Sequence, residues 1–182
     1  MSAPPKGPPH GAAITGAAIT GAAITGAAMS GAAMPEFAMT GARPFPPRVS
    51  AFTRPFWDAL AASRLITTRC TGCHTLSFPP RNLCRACWGR MLEWVPLEPH
   101  GRLYSFTRVH VVPGAFSADA PYAIGIVDLA DGVRLMCRMI GDVVPAHLDG
   151  PVEMVVLRYD DGPLFGARVG AQHAVADRPG AA

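Results

Sequence analysis

The sequence predicts a mainly β protein in which a disordered tail, a short helix and a zinc ribbon precede a small barrel of the OB type. Three observations predict this order. An uncharged repeat lies near the N-terminus, two Cys-x2-Cys pairs follow a helix-forming stretch, and five short β-prone runs fill the C-terminal half. The 182 residues accordingly divide into a tail with a Pro-rich linker (1–49), the helix and ribbon (50–92), the barrel (93–171) and a flexible C-terminal tail (172–182).

The N-terminal tail repeats a five-residue unit, GAAIT, three times within residues 11–34 before the pattern decays. A period of five matches neither a helix nor a strand, so no continuous apolar face forms. One coil of a pentapeptide solenoid would have no neighbour on which to stack. Gly and Ala also bury too little surface to offset the entropy of ordering, so we expect disorder.

The same tail carries no charge from residue 11 to residue 35, which raises the alternative of a membrane segment. Only one position in five is strongly apolar, so membrane insertion would be weakly driven. A secretory signal would need a compact apolar core after a basic start, and the repeat interrupts any such core. We therefore expect a cytoplasmic protein without a membrane anchor.

A short helix is predicted from about Arg54 to Ser63. Thr53 is a suitable N-cap, Pro55 suits the first turn, and Phe52 and Trp57 have the spacing of a hydrophobic staple. Such a helix has one apolar side, which either docks on its own domain or is presented to a partner. That side comprises Phe56, Trp57, Leu60 and Ala61.

Two cysteine pairs, Cys70 with Cys73 and Cys84 with Cys87, are separated by ten residues. Four thiolates this close in sequence suit one tetrahedral zinc ion, although spacing alone leaves an iron–sulfur centre open. Four protein ligands leave no position for water or substrate. We therefore expect a structural metal and no metal catalysis.

The first pair lies in the stretch CTGCH, which also matches a c-type haem attachment or a redox disulfide. Haem attachment would require export and would leave Cys84 and Cys87 without a role. A redox pair belongs at the start of a helix in a βαβ unit, and no such pattern surrounds this one. Both alternatives are disfavoured relative to zinc.

Five β-prone runs follow Trp94, separated by turns rich in Asp and Gly, and they predict a small Greek-key barrel with a short β-sandwich as the alternative. Within residues 133–139 apolar and polar side chains alternate, which points Cys137 into the core and not to a nucleophilic role. The runs are GRLYSFTRVHVV, YAIGIVDL, VRLMCRMI, PVEMVVLRY and PLFGARVG.

The first of these runs places polar and aromatic residues at its even positions, as in OB folds that stack single-stranded nucleic acid. The C-terminal half is net negative, however, whereas a groove that follows a nucleic-acid strand should be basic. A protein partner or a nucleotide-bearing cofactor is therefore favoured, and a single-stranded nucleic-acid module is the alternative. The even positions are Arg102, Tyr104, Phe106, Arg108 and His110.

Charge and motifs limit the function further. Residues 50–92 contain six Arg against one carboxylate, Asp58, so an anionic ligand would meet this segment. The chain contains no GxSxG, P-loop or HExxH motif and no GxGxxG after a strand, so we expect no catalytic activity of its own.

The order of parts resembles the acyl-CoA-associated family of rubredoxin-like zinc ribbon plus OB-fold proteins, long classed as a domain of unknown function. The resemblance covers residues 50–170, and its more specific points are Pro79-Pro80-Arg81 and Pro121-Tyr122. His74 and Trp88 stand where such ribbons often have Gly after each cysteine pair. The matching stretches are PFWDALAASRL, RCTGCHTLSFPPRNLCRACWGR, GRLYSFTRVH and PYAIGIVDLADGVRL.

This resemblance implies an accessory subunit. Family members form complexes with thiolase-like enzymes, aldolases and enoyl-CoA hydratases of lipid, steroid or polyketide metabolism, and in some complexes they help to form a CoA channel. By this resemblance the metal ligands are the four paired cysteines, and the CoA phosphates would meet Arg69, Arg81 and Arg85 of the basic segment.

Overall fold

The computed structural model describes residues 31–170. The GAAIT units and the C-terminal tail predicted from residue 172 lie outside the described residues. Within the described range no helix is long and apolar enough to cross a membrane. The elements are β1 (Glu36–Ala38), α1 (Arg54–Ala61), β2 (Ile66–Cys70), β3 (Leu76–Ser77), β4 (Leu92–Pro96), β5 (His100–Val109), β6 (Tyr122–Leu129), β7 (Arg134–Ile140), β8 (Pro151–Tyr159) and β9 (Gly162–Val169).

Strands β5 to β9 form a closed barrel. β5 pairs with β6, β6 with β7, β7 with β9, β9 with β8, and β8 returns to β5. Every pairing in this ring is antiparallel except that of β7 with β9. The five predicted strands and the mainly β OB-type fold are thus confirmed, and the sandwich alternative is wrong because the sheet closes on itself.

The barrel interior is filled by the alternating apolar residues that the sequence pattern predicts. On β7, Leu135, Cys137 and Met139 are buried, while Arg134 and Met136 are exposed. Burial raises the pKa of the Cys137 thiol to about 12. This thiol remains protonated at neutral pH, so Cys137 is a core residue, as predicted.

A β-bulge interrupts the first barrel strand. The register between β5 and β6 shifts between Leu103 and Ser105, so Tyr104 is an extra residue. Leu103 faces the core before the bulge, and Phe106 packs against the core after it. The Tyr104 ring faces outward beneath the guanidinium of Arg134, whose carbon lies 3.6 Å from the ring centroid.

The bulge corrects one prediction. Regular alternation along this strand predicts a single stripe of aromatic and cationic residues, but the extra residue sends Tyr104 and Phe106 to opposite sides. Farther along the strand, Arg108 donates a hydrogen bond to the Asp142 carboxylate. The continuous stacking surface that motivated the nucleic-acid alternative is therefore not present.

The ribbon sheet contains β3, β2 and β4 in that order, and β4 extends to Pro96, past the predicted boundary at residue 92. α1 docks on this sheet and on the barrel rather than facing away. Phe56 of the helix packs edge-on against Phe78 of the ribbon and Phe165 of β9, at centroid distances of 5.9 and 6.2 Å. One hydrophobic core therefore joins helix, ribbon and barrel.

The start of α1 differs in detail from the predicted capping. Thr53 has helical backbone angles and makes no side-chain cap. Its hydroxyl oxygen accepts from the Ser50 amide at 2.9 Å, while the Thr53 amide donates to the Ser50 hydroxyl at 3.1 Å. Phe52 lies against Trp94 of β4, at a centroid distance of 5.6 Å. The helix ends at Ala61, two residues before the predicted end.

The segment from Met34 to Arg43 belongs to the folded unit, although the sequence analysis places it in the tail and linker. β1 pairs in parallel with β8, and the Met34 side chain is buried. Arg43 donates to the backbone carbonyls of Asp161 and Pro163, at 2.6 and 3.4 Å. β1 has only three residues, too few to show the alternation of a strand, and its β8 partners lie far away in sequence. The sequence alone therefore did not predict it.

Candidate metal centre

The four paired cysteines converge at one end of the ribbon. All their Sγ atoms lie within 4.8 Å of one another, and the Cys70–Cys87 and Cys73–Cys84 sulfur pairs are 3.5 Å apart. A tetrahedron with zinc–sulfur bonds of about 2.3 Å has edges of about 3.8 Å. The sulfur positions therefore fit one tetrahedral ion with little adjustment.

Two equivalent turns hold these sulfurs. The His74 amide donates to the Cys70 carbonyl at 2.9 Å, and the Trp88 amide donates to the Cys84 carbonyl at 3.0 Å. His74 and Trp88 both have φ of 60°, the left-handed region that favours glycine. The turns thus keep their geometry although neither residue is glycine, and each carries some backbone strain.

The position after each left-handed residue differs between the turns. In the first turn, Thr75 Oγ1 lies 3.3 Å from Cys73 Sγ. In the second turn the position is Gly89, where an added Cβ would lie 3.3 Å from Cys87 Sγ and 3.7 Å from Cys70 Sγ. Glycine here leaves room for the sulfurs to approach one another.

The electrostatics of the four thiols also favour a cation. Hydrogen bonds from Thr75 lower the pKa of Cys73 to about 6. A hydrogen bond from the Gly89 amide also lowers the pKa of Cys87. The neighbouring cysteines have the opposite and larger effect, and the pKa of Cys87 is raised to about 12. Four thiolates at this separation repel one another, and a divalent cation would offset that repulsion.

Burial indicates what such an ion would do. Cys70 and Cys84 are buried, whereas Cys73 and Cys87 are exposed. A metal on all four would have no free coordination position, so it would join the two turns and not bind a substrate. The donor set suits zinc, and these four residues would hold it.

The arginines assigned to CoA phosphates lie in two places. Arg81 and Arg85 line one shallow groove of about 500 Å³ beside the second cysteine turn. Arg69, by contrast, donates to the Glu93 carboxylate at 2.8 Å and does not line this groove. Sequence reasoning missed Phe52 and Trp88 as lining residues, although a tryptophan directly after a metal ligand was a usable signal.

Comparison with known proteins places both parts of the fold. The rubredoxin-like zinc ribbon domain of ChsH2 matches residues 57–93, and the C-terminal OB-fold domain of ChsH2 matches residues 94–157. A DUF35 domain-containing scaffold protein of Methanocaldococcus jannaschii is 36% identical over 107 residues, which cover 55% of this chain and 75% of that protein. The chain belongs to the ChsH2/DUF35 family.

Two further known proteins are similar to the chain. The benzoylsuccinyl-CoA thiolase subunit BbsA of Thauera aromatica is 35% identical over 88 residues, covering 48% of this chain and 60% of that subunit. The chain thus spans less than two thirds of that relative. The solved structure of an Ltp2-ChsH2(DUF35) aldolase is similar with a TM-score of 0.58 and 28% identity, over 68% of this chain and 98% of that chain.

Proposed function

We propose that this chain is a non-catalytic, zinc-binding accessory subunit of an acyl-CoA-processing enzyme of the thiolase or aldolase type. The observation that carries the proposal is the closed four-cysteine centre in a chain of the ChsH2/DUF35 family. A closed centre builds a scaffold and leaves no coordination position at which a metal would activate a substrate. Chemistry then belongs to the partner.

The relatives support this choice of partner. One is named as a subunit of a benzoylsuccinyl-CoA thiolase, one as a scaffold protein, and the similar solved structure is named as an aldolase with two components. Within the described residues, the remaining thiol that a catalytic role would use is Cys137, and it is buried and protonated. Metabolism of lipid, steroid or polyketide acyl-CoA esters is the corresponding setting.

Arg81 and Arg85 are the side chains that we assign to CoA phosphates. They share one groove and make no ion pair within residues 31–170, so their charge is available to an anion. Arg69 was expected to join them, but its guanidinium already neutralises Glu93. We therefore assign it a weaker contribution.

Coexpression tests the proposal directly. The full-length chain is coexpressed with thiolase-type and aldolase-type subunits of its own organism, each complex is purified, and acyl-CoA turnover is compared for the chain, the enzyme subunit and the complex. We expect a stable complex, activity that requires the enzyme subunit, and one zinc ion per accessory chain. Turnover by the chain alone that Cys137→Ser abolishes, or iron absorbance at its metal centre, would contradict the proposal.

A further inference from the structure

Most of the arginines within residues 31–170 fall into two groups. Seven pair with carboxylates, and apart from Arg69 these anchor the barrel and the segment that pairs with it. Within residues 31–170, five others have no ion pair and no side-chain hydrogen bond, and all of them lie between residues 48 and 90. These five are Arg48, Arg54, Arg81, Arg85 and Arg90.

Nothing in the ribbon sequence balances this charge. Residues 59–92 contain no Asp or Glu, and the Glu93 carboxylate is occupied by Arg69. A protein surface that carries unpaired cations of one sign over a short region attracts a surface of the opposite sign and accelerates association with it.

A large apolar side chain stands within this basic region. Trp88 is 73% exposed, and it lines the same groove as Phe52, Arg81 and Arg85. We call Phe52 and Trp88, together with the unpaired Arg90 two residues farther along the chain, the Trp88 face. Arg81 and Arg85 of the same groove remain assigned to CoA phosphates. Tryptophan and arginine are the residue types that most often dominate protein–protein binding energy, and tryptophan acts as an anchor when its pocket excludes water.

The backbone holds Trp88 in place before any partner arrives. Its φ of 60° is unfavourable for a residue with a side chain, and its amide is tied to the Cys84 carbonyl at 3.0 Å. It directly follows the ligand Cys87, so a metal in the centre would fix its backbone. Because the backbone of this exposed aromatic residue is already fixed, little conformational freedom would be lost when a partner binds it.

We infer that the Trp88 face docks onto an acidic surface of the acyl-CoA enzyme subunit, with Trp88 inserted into an apolar pocket ringed by carboxylates. The inference rests on the proposed function. Charge selects this occupant. In a symmetric dimer a second copy of the chain would present the same cations and be repelled, and the GAAIT units carry no charge to complement them.

Binding of the full-length, zinc-loaded chain to the coexpressed enzyme subunit tests this surface. Trp88→Ala should weaken the equilibrium affinity at least about 30-fold, the loss typical of an interface hot spot. Met136→Ala is the matched control, because Met136 is an exposed apolar residue on β7 of the barrel, and it should change affinity less than about twofold. Zinc content and thermal unfolding check that both variants fold.

Two further variants test the contribution of charge to binding and check that the loss of binding in Trp88→Ala is not caused by misfolding. Arg90→Glu should slow association and reduce its salt dependence, whereas Arg102→Glu makes the same charge change on the barrel and should not. If Trp88→Ala proves poorly folded, Trp88→Gly relieves the left-handed strain. It should retain zinc and still lose binding.

The outcomes distinguish the inference from the proposed function. If the wild-type chain binds none of the thiolase-type or aldolase-type subunits, the proposed function fails and the inference fails with it. If the wild type binds but Trp88→Ala binds equally well, or Met136→Ala abolishes binding, only the inference is overturned. The inference is also overturned if Trp88→Ala no longer binds free CoA, as measured by calorimetry, but binds the enzyme subunit with the wild-type affinity.

Discussion

The ribbon and the barrel are built on different physical principles. The barrel buries a continuous set of apolar side chains, and most of its outer arginines are paired with carboxylates. Between residues 70 and 91, by contrast, the buried residues are Cys70, Ser77 and Cys84. We therefore expect the ribbon end to depend on a metal held by its cysteines, since it has too few apolar residues to form a core of its own.

This contrast indicates different roles for the two regions, support for the barrel and partner binding for the ribbon end. The barrel, with most of its charges paired and its core buried, is suited to act as a stable support. The ribbon end has unpaired arginines, an exposed tryptophan and two turns with strained backbone angles. We expect a partner to use these features.

Removing one metal ligand should give the largest effect. Cys84→Ser should abolish stoichiometric zinc binding and unfold the ribbon end, since zinc contributes about 10 to 16 kcal/mol of apparent binding energy in small zinc-finger peptides. Metal analysis and hydrogen exchange of residues 65–95 measure this. Cys137→Ser is the matched control in the barrel, where it should retain zinc and cost about 1 to 3 kcal/mol for a buried hydroxyl without a partner. Full zinc content in Cys84→Ser would contradict the assignment.

A core truncation in the barrel should show the reverse pattern. Leu103 is fully buried, so Leu103→Ala should lower the free energy of unfolding by about 2 to 5 kcal/mol without changing the zinc stoichiometry. Urea unfolding followed by circular dichroism measures the loss. Leu148→Ala removes the same side chain from a position that is 42% exposed, so it should cost much less. Loss of zinc in Leu103→Ala would mean that the two regions are not separable.

Relieving backbone strain in a cysteine turn should increase the stability of the zinc-loaded ribbon by a smaller amount. His74→Gly should stabilise the zinc-loaded ribbon by about 1 kcal/mol, because glycine adopts positive φ without strain. Competition with a chelator measures the change as tighter zinc retention. In the barrel, Gly132 already has φ of 78° with open space around it, so Gly132→Ala should destabilise by a similar amount. Unchanged or weaker zinc retention in His74→Gly would argue that the turn is not strained.

The smallest effect concerns the segment that pairs with β8. Arg158 donates to both carboxylate oxygens of Glu36, at 2.6 and 3.0 Å, and Ser63 also donates to this group. These bonds lower the pKa of Glu36 from 4.5 to about 2. A depressed carboxyl pKa stabilises the folded state above pH 4.5, and that contribution disappears as the pH falls towards 2.

Glu36→Gln should therefore unfold slightly more readily than wild type at pH 7, with the difference vanishing near pH 2. Thermal unfolding across this pH range measures it, and the effect should be modest because the pair is exposed. Asp58→Asn, on an exposed residue of α1 that has no ion pair in the described part of the chain, controls for the charge change. A difference that persists at pH 2 would exclude ionisation of Glu36 as its source.

The elements that sequence alone predicted are those with local signals. Spacing predicted that Cys70, Cys73, Cys84 and Cys87 lie together, as their sulfurs do, and alternation between Asp-Gly turns located the five barrel strands. The bulge at Tyr104 could not be predicted from the sequence. An extra residue does not change the alternation of residue types along the strand, and it shifts only the pairing with β6.

Other features depended on distant contacts. β1 is ordered by β8, and the neutralisation of Arg69 requires β2 and β4 to bring it beside Glu93. Composition correctly placed positive charge around the ribbon, yet it could not divide the arginines into paired and unpaired groups. Their pairing is decided by the folded neighbours of each side chain.

The ribbon end, held together by its metal, is expected to bind the enzyme subunit, while the barrel supports the ribbon. Equilibrium binding of the full-length chain to its coexpressed enzyme subunit, measured once with zinc and once after chelation, tests this most directly. We expect tight binding with zinc, and a loss of at least about 30-fold without it while the barrel stays folded by circular dichroism. Equal affinity of the metal-free chain would contradict the claim.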